Sequence, residues 1–273
     1  MSFPSIGLAL SGGAARGLSH VGVLRALHEN NIPIDCVAGT SAGSIVGGAL
    51  AAGMSIDDIE TLGRSLRWRH IGRPTVSRRG LQSNKRLESF IRERLPKTKF
   101  EELLIPFAAV ATDLENGTPV VMRDKGDVAF AIRASCTIPG LYVPVVDSEG
   151  RQLVDGGMVA VVPVSAARSL GADIVIAVEV NFEGASFLKS NSIIGVILQS
   201  MLTVAKVATR PELDAADYVI QPRVGQIRWD QLKKMGELVD AGYQAGLASI
   251  PAIKELIERK TLERSSQTRP ALA

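Results

Sequence analysis

Histidine is scarce in this chain of 273 residues: His20, His28 and His70 are the only three. None lies late in the chain, where a serine hydrolase with the chain order Ser, Asp, His would need one. His20 and His28 fall on the first helical segment and read as packing or surface residues. Cysteine is scarcer still. Cys36 and Cys136, both among apolar neighbours, make no disulfide framework and read as buried thiols. Although 46% of the chain is hydrophobic, no run of eighteen uninterrupted apolar residues occurs, and no transmembrane helix is expected. The opening Met1-Ser2-Phe3-Pro4-Ser5 has no basic region ahead of the first apolar run, from which we expect a cytoplasmic protein. No repeat and no long linker divides the chain. Its length suits one substantial core, so a single domain over residues 1–264 is expected, with residues 265–273 a disordered tail.

What the chain does have is three glycine turns. Gly39-Thr40-Ser41-Ala42-Gly43 follows an apolar segment, residues 34–38, and precedes an alanine- and glycine-rich run, residues 44–52. A G-x-S-x-G turn between a strand and a helix holds a serine out as a nucleophile. Gly39 and Gly43 leave room for two backbones to approach, and the following helix aims its N-terminal amides at any negative charge formed there.

Upstream, residues 6–10 read as a buried strand, and Ser11-Gly12-Gly13-Ala14-Ala15-Arg16-Gly17 leads into a helix whose apolar face is Val21, Val23, Leu24 and Leu27. As a dinucleotide fingerprint this turn is poor, because Ala14 replaces the second glycine and Arg16 would crowd a pyrophosphate. No G-K-[ST] follows, which removes the P-loop reading. Consecutive amides of small residues, Gly12, Gly13 and Ala14, suit an oxyanion hole instead. No cofactor and no metal is expected.

The third turn is Asp155-Gly156-Gly157, at the end of a short strand. A carboxylate there can cap the next helix. It can also serve as a base, and a serine without a well-placed histidine needs one.

These three turns, in this order, resemble the patatin-like phospholipase family, in particular its small bacterial members. The family pattern of a G-G-G-x-[KR]-G loop, a G-x-S-x-G elbow and a D-G-[GA] turn is met by residues 12–17, 39–43 and 155–157. Leu18-Ser19-His20-Val21-Gly22-Val23-Leu24 and Ala134-Ser135-Cys136-Thr137-Ile138-Pro139-Gly140 extend the likeness, which covers about residues 6–180. One departure is Ala14, where the family has a third glycine; alanine keeps its N–H but loses easy access to positive φ. The resemblance implies a Ser41–Asp155 dyad, with Arg16, Gly17, Gly156 and Gly157 as supporting residues. A carboxylate is a weak base for an alcohol, with an ordinary pKa of about 3.9, so it must be desolvated, and ester cleavage is favoured over amide cleavage. Arg16 reads as a brace of the loop through its five donors.

Alternating strand and helix signals run through the chain: helices at 55–66, 84–95, 127–134, 163–170, 191–208 and 229–260, and strands at 107–112, 120–123, 153–154, 174–180 and 218–221. Glu115-Asn116-Gly117-Thr118 is a hairpin signal. The expected architecture is α/β, a three-layer α/β/α sandwich with a mainly parallel central sheet. From Arg64 to Arg86 there are eight basic residues, Arg78 and Arg79 among them, and no acidic one, although the whole chain is only +3. The segment reads either as a solvated face or as a loop-like lid that meets anionic lipid through residues such as Arg78 and Arg79. No nucleic-acid-binding fold accompanies it. The apolar helix 192–208 leaves both a homodimer contact and a lipid-facing surface open. The leading reading is a lipid acyl hydrolase; an acyltransferase that passes the acyl group from Ser41 to an alcohol, and a non-catalytic regulatory protein, are the alternatives.

Overall fold

The computed structural model describes residues 3–181 and 193–267. β1 (Ile6–Leu10) and the glycine turn lead into α1 (Ser19–Glu29), then β2 (Cys36–Thr40) and, across Ser41 alone, α2 (Ala42–Ala51). The Ser55 hydroxyl accepts the Asp58 N–H at 3.1 Å and opens α3 (Ile56–Ser65), as the capping signature predicts. After α4 (Trp68–Ile71) comes a two-residue antiparallel ladder, β3 (Arg73–Pro74) with β4 (Gln82–Ser83), and then α5 (Lys85–Arg92). β5 (Phe107–Asp113) and β6 (Pro119–Met122) form the expected hairpin, with Gly117 at φ 65°. Asp127 caps α6 (Val128–Ser135) by accepting the Phe130 N–H at 2.7 Å. The remaining elements are β7 (Val145–Val146), β8 (Gln152–Asp155), α7 (Val164–Ser169), β9 (Ile174–Val178), α8 (Ile193–Asp214), β10 (Tyr218–Ile220) and α9 (Met235–Gln267).

The main sheet has the order β10-β9-β1-β2-β5-β8-β7, with β6 on the other edge of β5. The four pairings from β10 to β5 are parallel, as expected from helical crossovers, whereas β5–β6, β5–β8 and β7–β8 are antiparallel. The sheet is therefore mixed, parallel from β10 to β5 as expected and antiparallel beyond β5. Turns, not helices, join β5 to β6 and β7 to β8, and a tight turn reverses the chain.

Side-chain size alternates along the central strands and sets the two helical layers. Leu8, Leu10, Val37, Ile174, Ile176 and Val178 face the larger core, which also takes Leu24 and Leu27 of α1, Ile59 of α3 and Leu238 of α9. Ala9, Ala38, Ala108 and Ala177 face the other way, against Val164, Ala166 and Ala167 of α7 and Ala205 of α8. Small residues let that second layer lie close. Full burial of each large aliphatic side chain contributes about 1.5–3 kcal/mol, so the weight of the fold lies on the α1/α9 side.

Several expectations are corrected. The basic segment is not a plain loop, since it contains α4 and the β3–β4 ladder. That flap is tied to the chain near the site by Leu81 N–H to Gly140 O at 3.4 Å and Gln82 N–H to Leu141 O at 3.0 Å. α9 runs to Gln267, three residues into the segment expected to be disordered. α8 continues past Ala208 to Asp214 with Pro211 inside it; residues 191 and 192 of that expected helix lie outside the described residues. Val196, Val204 and Val207 of α8 are exposed, so the helix is not buried on all sides.

Candidate active site

Ser41 makes the turn from β2 to α2 by itself, at φ 50° and ψ −120°. A non-glycine residue in such a region costs on the order of 1–3 kcal/mol and persists only where its surroundings fix it. Here they do. Its N–H donates to Ser135 Oγ at 2.8 Å, Ser135 Oγ donates in turn to Val110 O at 2.6 Å, and the Ser41 carbonyl accepts from Ser44 Oγ at 2.6 Å. The flanking glycines are required by contact: a Cβ on Gly39 would lie 2.4 Å from Gly43 O, and one on Gly43 would lie 2.2 Å from Leu10 O.

Asp155 closes β8 opposite Ala111, while Thr40 closes β2 opposite Val110, so two strand ends meet on one edge of β5. Gly156 completes the junction, because a Cβ there would lie 2.2 Å from Val110 O. The Asp155 backbone is held by its N–H to Thr137 O at 2.8 Å and by Thr112 Oγ1 donating to its carbonyl at 2.9 Å. Burial pushes its carboxyl pKa up to about 6, against the opposing pull of the Gly157 N–H, 2.8 Å from Oδ1, and of the nearby Ser41 hydroxyl. A group with that pKa is ionised at neutral pH and far more basic than a solvated aspartate.

The glycine loop ends beside them: a Cβ on Gly12 would lie 3.3 Å from Ser41 Cβ, and one on Gly17 would meet the Cβ of Ala42 at 2.4 Å. Its amides are not equivalent. Gly12 N–H donates to Val161 O at 2.9 Å, Ala15 N–H to Trp229 O at 2.9 Å and Arg16 N–H to Gly13 O at 3.1 Å. Gly12 is thus corrected as an oxyanion donor, its amide being already used. Among the described residues, no acceptor takes the Gly13 or Ala14 N–H. Ala14 adopts φ 49°, the left-handed conformation for which glycine is the easy choice.

Arg16 is buried and donates from Nε to Ile227 O at 2.7 Å and from Nη2 to Gly225 O at 3.3 Å, which ties the glycine loop to the chain before α9. His20 is fully buried and donates from Nε2 to Ser11 O at 2.8 Å; burial lowers its pKa to about 4, which keeps it neutral. His28 is exposed on α1, and His70 stacks on Phe90 with ring centroids 5.1 Å apart. Cys136 is buried, and burial followed by the nearby Asp155 charge raises its thiol pKa, so it is no thiolate nucleophile. The supporting polar residues Ser135, Thr112 and Thr137, with Asn84 donating to Thr137 Oγ1 at 2.8 Å, had no individual signal in the sequence. Only the run from Ala134 to Gly140 hinted at two of them, Ser135 and Thr137.

A pocket opens at Ser41 and runs between the end of the glycine turn, α2, α3, α4 and α5. Leu18, Ile45, Ile59, Leu62, Phe90 and Ile138 are among its walls, and none of its lining residues is charged. Trp68, Ile71 and Tyr142 also line it, which brings the base of the basic flap to its rim. Trp68 packs edge-on against Trp229, with centroids 5.7 Å apart. Arg78 and Arg79 lie farther out on the flap, both exposed, and Arg79 Nη1 donates to Gln152 Oε1 at 3.3 Å. Val76 is fully exposed beside them.

A family model described as patatin-like phospholipase matches residues 8–168. The chain is 39% identical over 183 residues to an uncharacterized NTE family protein of Mycobacterium tuberculosis, covering 66% of this chain and 50% of that one. It is 38% identical over 184 residues to lysophospholipase NTE1 of Mycosarcoma maydis, covering 64% of this chain and 10% of that one. The chain therefore spans half or less of the length of these curated relatives. Among solved structures it resembles VipD from Legionella pneumophila at 16% identity, with TM-score 0.54, covering 92% of this chain and 67% of that chain. It also resembles human GIVD cytosolic phospholipase A2 at 12% identity, with TM-score 0.50, covering 96% of this chain and 60% of that chain. At these identities the two structures speak for the fold.

Proposed function

The chain belongs to the patatin-like phospholipase family, and on that premise we propose that it is a serine lipid acyl hydrolase cleaving a carboxylic ester of a phospholipid or lysophospholipid. The observation that carries this reading is the junction of Ser41 with Asp155, a buried carboxylate ionised at neutral pH, on one edge of β5 at the mouth of an uncharged, apolar pocket. The pocket suits an acyl chain, and the name of the lysophospholipase relative supports a lipid substrate.

In this mechanism Ser41 Oγ attacks the ester carbonyl while Asp155 takes its proton. The tetrahedral oxyanion is stabilised by the Gly13 and Ala14 N–H groups and by the positive end of α2. As the intermediate collapses, the C–O bond to the leaving alcohol breaks and Asp155 returns the proton to that oxygen. Water then attacks the acyl-serine with Asp155 again as base, releasing the fatty acid and restoring Ser41. The basic flap, with exposed Val76 between its arginines, is proposed to hold the protein on an anionic lipid surface.

The test is labelling with a fluorophosphonate probe followed by peptide mapping, together with profiling of products from mixed phospholipids and lysophospholipids. Label on Ser41 and released free fatty acid support the reading. Acyl transfer to an added alcohol at the expense of fatty acid would make the protein a transacylase, and an unlabelled Ser41 with no product would defeat both.

A further inference from the structure

The peptides between Ser11 and Ala15 are each held from a different direction. In the Ser11–Gly12 peptide the carbonyl accepts from His20 Nε2 at 2.8 Å and the N–H donates to Val161 O at 2.9 Å. The Gly13 carbonyl accepts from Arg16 N–H at 3.1 Å, and the Ala15 N–H donates to Trp229 O at 2.9 Å. The Gly12–Gly13 peptide has a glycine on each side and so turns more easily than its neighbours. Its carbonyl takes one side-chain donor, Asn181 Nδ2 at 2.8 Å. Its N–H is that of Gly13.

We propose that Asn181 is a positioning residue of the active site, locking the Gly12–Gly13 peptide so that the Gly13 N–H faces the oxygen that forms at Ser41. The inference rests on the hydrolase reading of Ser41 and Asp155. Sheet order supplies the direction. β1 lies between β9 and β2; Asn181 follows the end of β9, and Ser41 follows the end of β2. In a trans peptide the C=O and N–H point to opposite sides, so a carbonyl drawn toward Asn181 turns its N–H toward Ser41. A carbonyl that already accepts a hydrogen bond also polarises its own peptide, making the N–H a better donor.

Asn181 is itself fixed. Its N–H donates to Glu179 Oε1 at 2.6 Å, and the Val180 N–H before it donates to Ser11 Oγ at 3.1 Å. Glu179 is buried, and a Cβ on Gly13 would lie 2.4 Å from Val180 Cγ2, so the loop is pressed onto the end of β9. Neither Glu179 nor Asn181 belongs to the three glycine motifs.

The experiment is steady-state hydrolysis of p-nitrophenyl butyrate and thermal unfolding for Asn181→Asp, Asn181→Ala and Ser41→Ala beside wild type. Asn181→Asp keeps the shape and replaces the amide donor with an oxygen that repels the Gly12 carbonyl. Its kcat is expected to fall by about tenfold to a hundredfold, less than the loss of a whole oxyanion donor, with KM within about twofold and unfolding close to wild type. A folded Asn181→Asp with kcat near wild type, or a loss that appears in KM alone, overturns the assignment. If that variant does not fold, Asn181→Ala decides by the same division between kcat and KM. Turnover retained in Ser41→Ala defeats the hydrolase reading itself, whereas an inactive Ser41→Ala beside unimpaired Asn181 variants defeats only the positioning role.

Discussion

Thr40 and Asp155 are the last residues of two strands that run head-on along the same edge of β5, paired with Val110 and Ala111 in succession. β2 comes in parallel and β8 antiparallel, so their carboxyl ends meet. The backbone ladder thereby sets the approach of Ser41 to Asp155 before any side-chain contact is counted. β6 occupies the opposite edge of β5 and leaves this junction free.

In the proposed mechanism Ser41 and Asp155 act on one proton, so their removal is expected to be non-additive. Ser41→Ala and Asp155→Asn should each lower kcat by at least about a thousandfold, and the double variant should be no slower than the worse single one. Additive losses in a kinetic double-mutant cycle would mean that Asp155 does not serve Ser41.

The raised pKa of Asp155 ties activity and stability to pH in opposite senses. In the proposed mechanism turnover needs the ionised form, so kcat/KM should rise with pH to a plateau above about 6. Folding favours the neutral form. The stability contribution of Asp155 is therefore complete below its unfolded pKa of about 3.9 and is lost as pH rises through about 6. Asp155→Asn should accordingly be more stable than wild type near pH 8, by up to about 3 kcal/mol, and similar to it near pH 3. Denaturant titrations of both proteins at the two pH values check this; a difference that does not grow with pH refutes it.

Ser135 joins the Ser41 N–H to Val110 O. Ser135→Ala leaves both buried groups without that partner, for a cost of about 1–3 kcal/mol, and frees the strained elbow to relax. Both the unfolding midpoint and kcat should drop, with kcat falling by about tenfold. Wild-type turnover in this variant would show that the elbow geometry is held by its glycine contacts alone.

If the flap meets anionic lipid, each of its exposed charges near the surface is worth about 1 kcal/mol. Arg78→Gln combined with Arg79→Gln should weaken sedimentation with phosphatidylserine vesicles by about tenfold to a hundredfold and leave turnover of a soluble ester unchanged. Added salt should act in the same direction on the wild type. Vesicle binding that responds to neither salt nor substitution would make the basic run a solvated face.

The three turns were legible in the sequence because each demands a particular residue type: glycine where backbones touch, a serine at an elbow, a carboxylate at a strand end. The alternating pattern likewise carried the α/β layers and the β5–β6 hairpin. What it did not carry was partnership. That Gly12 is not an oxyanion donor depends on Val161, 149 positions away in the chain, and the antiparallel entry of Asp155 depends on which edge of β5 was vacant. Ser135, Thr112, Thr137 and Asn181 are ordinary polar residues whose importance lies in the backbone groups they meet. Local chemistry fixes which residues can react, because bond geometry and side-chain type are written residue by residue. Tertiary structure decides which of them meet, because hydrogen-bond partners and burial arise only when distant strands come together.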